Sequence, residues 1–130
     1  MELKEIGQQL LNETGLTAEQ WKLLVSEALS AILANQSVSE LSSFLNMGAF
    51  DFPEEVTVST LERMLHLGDL SKNTLWAYAT QLDLYFVKQG LYEWLVAELK
   101  HLETSGGTDE EYRQIGEQVL RRLHDGNVDG

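Results

Sequence analysis

The chain has 130 residues and a formal net charge of −12, from 21 acidic and nine basic residues, and it contains no cysteine. That length fits one domain with a core of its own, and a hydrophobic content of 43% argues against disorder throughout. Without a thiol there is no disulfide, no thiolate metal ligand and no cysteine nucleophile.

The first stretch, MELKEIGQQLLNETG, has no basic segment followed by an apolar run, the pattern of a secretory signal. It predicts a helix over 2–14. Thr17-x-x-Gln20 is a capping box, in which a threonine oxygen accepts from N–H groups that the first turn leaves unpaired. It opens a helix over 18–34, whose apolar face is Trp21, Leu24, Val25, Ala28, Leu29 and Ile32. Residues 28–39 carry no formal charge, but they are too few and too polar to span a bilayer. The expectation is a soluble, cytoplasmic protein with no membrane partner.

Ser37-x-x-Glu40 opens a third helix, 38–47. Residues 49–58, AFDFPEEVTV, read as the main irregular connection. They hold the chain's one proline, Pro53, and two aromatic anchors, Phe50 and Phe52. Val56-Thr57-Val58 is too short to support a sheet. Ser59-x-x-Glu62 then predicts a helix over 60–67, and Ser71 caps one over 72–89. A break at Gly90 leads to a helix over 91–104. Glycines 15, 48, 68 and 90 stand where helices would end in a left-handed residue. TSGGT, 104–108, is a candidate hinge before Thr108-x-x-Glu111 opens a last helix over 109–124.

These elements predict an all-α fold, a compact bundle of about six or seven short helices in a single domain, 1–130. The helices 18–34, 72–89 and 91–104 are apolar over much of their circumference and should form the core. In 72–89 that width includes Trp76, Leu84, Tyr85, Phe86 and Val87. The last helix has a narrower stripe of Tyr112, Ile115, Val119, Leu120 and Leu123. Its other side pairs Asp109 with Arg113 and Glu117 with Arg121 at i,i+4. Tyr112, Ile115, Val119 and Leu123 are the candidate interaction residues, toward a protein partner or toward a second copy as a homo-oligomer.

Residues 61–82 resemble the helix-turn-helix motif: LERMLHL, a turn at GDL, then SKNTLWAYATQL, the part that would enter the major groove. The resemblance implies a DNA-binding regulator in which Lys72, Asn73, Thr74 and Gln81 contact DNA. It departs from the motif at Met64 and Leu65, which are bulky where the two helices should cross. Phosphate contacts need Lys and Arg, and the reading helix has one, Lys72, in a chain of −12. Nucleic acid is therefore the disfavoured partner.

Chemistry-bearing motifs are sparse. Glu98-x-x-His101 has the spacing of carboxylate-bridged metal bundles, but such sites need two copies and further glutamates. His66 and His124 stand near helix C-termini, where a cation is tolerated. Glu54-Glu55 and Glu110-Glu111 are explained by helix starts. No nucleophile elbow, phosphate loop or dinucleotide fingerprint occurs. The expectation is no metal, no cofactor and no catalysis.

The acidity itself is informative in its distribution. Residues 1–50, 51–100 and 101–130 each carry −4. Such a surface keeps a protein solvated. It also resembles, as a field, the phosphate backbone that a basic nucleic-acid-handling protein would meet. The reading reached from sequence is a small acidic interaction module. It would be an adaptor, assembly chaperone or inhibitor of a larger machine, as in small bacterial or phage accessory proteins.

Overall fold

A computed structural model of the protein describes residues 2–12, 15–48, 51–126 and 128. Among them are seven helices and no strand: α1 (Leu3–Leu11), α2 (Ala18–Ala34), α3 (Val38–Met47), α4 (Glu54–His66), α5 (Lys72–Tyr85), α6 (Gln89–Ser105) and α7 (Asp109–Asp125). The protein is all-α. Its contacts cluster into two compact helical units, Met1–Leu67 and Gly68–Gly130.

Where a side chain caps a helix, the boundary falls where the sequence puts it. Thr17 accepts from the Gln20 amide at 3.1 Å, and the Gln20 side chain accepts from the Thr17 amide at 2.9 Å. Thr108 and Glu111 build the same reciprocal box at α7. At α3 the box is half built. Ser37 accepts from the Glu40 amide, while the Glu40 carboxylate accepts instead from the Asn35 side-chain amide at 2.8 Å. Ser71 caps α5 by accepting from the Thr74 amide.

α1 ends at Leu11 with Asn12 as its C-cap, short of the expected residue 14. Two further boundaries differ from the sequence expectation. α4 begins at Glu54, not at residue 60, so Val56-Thr57-Val58 is helical and Ser59-x-x-Glu62 lies inside the helix. The Pro53 carbonyl accepts from the Val56 and Thr57 amides. Proline is preorganised for a helix start, and Glu54 and Glu55 suit the positive end of the dipole. Val56, Thr57 and Val58 are all buried, so packing overrides their strand preference.

The second difference lies between α5 and α6. The break falls at residues 86–88, and Gly90 sits in the first turn of α6. Phe86 adopts the left-handed conformation, φ 56°, and Lys88 does so at φ 48°. The Phe86 amide donates to the Leu82 and Asp83 carbonyls and the Val87 amide to Leu82. This is the glycine-type helix stop made without glycine. α6 has no side-chain cap; the Leu91 amide donates to the Val128 carbonyl at 2.8 Å. α6 also continues through Thr104 to Ser105, which shortens the candidate hinge to residues 106–108. Gly48, expected left-handed, has φ −133°.

In the first unit α1 packs on α2 and α3, and α4 packs on α2 and α3. Ile6, Leu10, Ile32, Leu41, Leu61 and Leu65 are fully buried, each contributing about 1.5–3 kcal/mol of apolar burial. Phe52 stacks on Phe44 with ring centroids 4.7 Å apart. Its companion anchor Phe50 lies outside the described residues. Arg63 donates from Nε to the Asn35 carbonyl at 2.9 Å, tying α4 to the end of α2.

In the second unit α5, α6 and α7 pack on one another. Leu75, Tyr78, Leu82, Leu91, Leu95, Leu99 and Val119 form its core. The expectation of burial all round α5 fails at its end: Leu84 and Phe86 are exposed, and Tyr85 and Val87 are half-buried.

Candidate interaction surface

The stripe of α7 is turned inward. Tyr112, Ile115 and Val119 are buried, and Leu123 is half-buried. The Lys72 ammonium lies 5.9 Å from the Tyr112 ring centroid. The Arg122 guanidinium lies 4.2 Å from the Trp94 ring, a cation–π contact that lays arginine over the α6–α7 seam. On the outer side Arg113 pairs with Glu110 at 3.7 Å and Glu117 at 3.5 Å. The structure thus brings Tyr112, Ile115 and Val119 together as core, with Leu123 at its edge.

The residues assigned to DNA reading are placed as follows. Lys72 forms an ion pair with Glu103 at 3.5 Å. Thr74 is buried and donates to the Asp69 carboxylate at 2.6 Å. Asn73 is exposed. Gln81 is half-buried, with its Oε1 buried and without a hydrogen-bond partner among the described residues. α4 packs on α2 and α3 in the first unit, whereas α5 packs on α6 and α7 in the second. His66, His101 and His124 are exposed. Among the described residues no group of three or more metal-capable side chains comes together, and no helix is long and apolar enough to cross a membrane.

What the fold leaves outside is a set of large apolar side chains. Phe86 is 81% exposed, Leu33 67%, Leu23 65% and Leu84 57%. In the first unit Leu23 faces an open groove of about 720 Å³ between α1 and α2, whose walls include Glu5, Gln8, Gln20 and Glu27. A second groove of about 730 Å³, bordered by Leu3, Ala34, Phe44 and Met47, lies among α1, α3 and the end of α2.

No known family, characterised protein or solved structure matches the chain. The site is therefore built from its own geometry. Leu23 and Leu33 carry a signal that sequence reading passed over. They are leucines on α2 outside the stripe that packs inward, which runs through Leu24, Val25, Ala28 and Ile32. Phe86 carries none, because its exposure follows from a left-handed helix stop that glycine would favour.

Proposed function

We propose that the protein is a non-enzymatic interaction module that engages a basic protein partner. An adaptor, assembly chaperone or inhibitor of a nucleic-acid-handling machine, of the bacterial or phage accessory kind, has these properties. The observation that carries the reading is the pairing of exposed Leu23, Leu84 and Phe86 with a net charge of −12. Contact cores of interfaces are enriched in aromatic residues and depleted of charge, while their rims remain charged. An evenly acidic surface speeds encounter with a basic one and repels nucleic acid.

The test is affinity capture of the tagged full chain from its native lysate, followed by titration of the recovered partner at about 0.05 M and about 0.5 M salt. One stoichiometric basic protein, bound at least tenfold more weakly at high salt, is expected. Salt-insensitive binding overturns the charge argument. Recovery of nucleic acid without protein overturns the reading in favour of the 61–82 segment.

A further inference from the structure

The seam between α1 and α2 has a helical pattern on both walls. From α1 and its C-cap come Glu5, Gln8, Gln9 and Asn12, and from α2 come Gln20, Leu23, Leu24 and Glu27. Each set follows i, i+3, i+4, i+7, the spacing of one face of a helix. The groove continues into a neighbouring one of about 590 Å³ that shares Leu23 and Glu27 and reaches Ser30 and Ala31. Gln20 to Ala31 spans about 17 Å along α2, roughly three turns.

The chemistry of this trough is one-sided. Leucine lies along it, and Leu23 is 65% exposed. Glu5 and Glu27 supply two carboxylates, Gln8, Gln9, Asn12 and Gln20 supply amides, and no lysine or arginine is among its described lining residues. Small side chains at Ser26, Ser30 and Ala31 let another helix approach closely at one end. A second copy of this chain brings the same −12 and meets repulsion, as does any nucleic acid.

We propose that the α1–α2 trough seats an amphipathic helix of the partner, about three turns long, with aliphatic side chains inward and Lys or Arg along its edges. This names the contact surface for the interaction reading above and rests on it.

The probe is a fluorescent leucine–lysine peptide of about 18 residues with its leucines on one helical face, beside a scrambled isomer of equal composition. Both are titrated by anisotropy against the full chain and against Leu23→Lys, Glu27→Lys and Leu33→Lys. Leu23→Lys and Leu33→Lys add the same charge at similarly exposed sites of α2, but Leu33 does not line the trough. The facial peptide should bind at least ~10-fold more tightly than the scramble. Leu23→Lys and Glu27→Lys should each weaken it ~10-fold, and Leu33→Lys less than about twofold. Amide shifts in a ¹⁵N spectrum should concentrate on α1 and α2.

Equal affinity for both peptides, with Leu23→Lys no worse than Leu33→Lys, overturns the trough and leaves the basic-partner reading standing. No binding of either peptide at about 0.1 mM also overturns the trough, and the salt-dependent capture then judges the wider reading by itself.

Discussion

The two units solve the same problem with different completeness. The second, three helices with eleven acids and six bases, turns its apolar stripes inward and lays cations over the seams, leaving Leu84 and Phe86 exposed where α5 ends. Lys72 sits by Tyr112 and Glu103, and Arg122 covers Trp94. The first, four helices with ten acids and three bases, leaves grooves along α1 and exposes Leu23 and Leu33 on α2. Long cationic side chains can cover apolar surface with their stems, and the first unit has few of them. Apolar pattern alone therefore does not mark an interface; what matters is whether the fold supplies a cover.

The largest test of that contrast is Tyr112→Ala. Tyr112 is 4% exposed, so its loss should cost about 3 kcal/mol or more, as other large aromatic truncations in cores do. The urea midpoint of the full chain reads it. A cost under about 1 kcal/mol would return the α7 stripe to the surface and remove the distinction between the units.

Two glycines sharpen the contrast at smaller scale. A Cβ on Gly116 would lie 2.7 Å from Leu70 Cδ2 and 2.8 Å from Leu70 Cβ. The second contact is next to the backbone, so α7 itself must move. Overpacking costs about 1–3 kcal/mol, which outweighs the ~1 kcal/mol that alanine gains in a helix. A Cβ on Gly7 would meet the Met47 sulfur at 2.5 Å and the Phe44 ring at 3.2 Å. Met47 is half-buried and unbranched, and it can turn aside. Gly116→Ala should destabilise by about 1 kcal/mol and Gly7→Ala by less than about 0.5. The reverse order in thermal melts would mean that the first unit is the tighter one.

Helix starts governed by a local hydrogen bond were open to reading, and those governed by burial were not. Thr17, Ser37, Ser71 and Thr108 announce α2, α3, α5 and α7 because the capping oxygen and the amide that donates to it are neighbours in sequence. α4 hid behind Pro53 and a β-branched triplet, because its stability comes from residues far along the chain that bury Val56 and Val58. Ser59-x-x-Glu62 imitates a box but stands inside a helix where those amides are already paired. At the candidate surface the difficulty is one of kind. Ile115 and Leu23 are both aliphatic residues on amphipathic helices, and only the packing of α5 and α6 against α7 makes the first one core. The sequence points to Gly90 as the stop, but α5 stops at Phe86, a choice without a local signature.

That choice is itself testable. A left-handed conformation costs a non-glycine residue about 1–2 kcal/mol, and Phe86 has little burial to offset it at 81% exposure. Glycine loses ~0.4–1 kcal/mol of this advantage through the flexibility it adds to the unfolded chain. Phe86→Gly should therefore raise stability by up to about 1 kcal/mol, a rise of several degrees in Tm for a unit of this size. A loss of stability would show that the ring packs, and would remove Phe86 from the exposed apolar set.

The smallest expected effect discriminates best between core and contact surface. Leu23→Lys replaces a side chain that is already 65% exposed, so its cost should stay within about 0.5 kcal/mol. The new ammonium stands among Glu5 and Glu27 in the groove, where attraction offsets some of the lost apolar contact. A residue kept for folding would announce itself by instability on this change. One kept for contact would leave the urea midpoint in place and weaken only the peptide complex. If Leu23→Lys lowers the midpoint as Tyr112→Ala does, the leucine belongs to the fold, and the first unit is closed in the same way as the second.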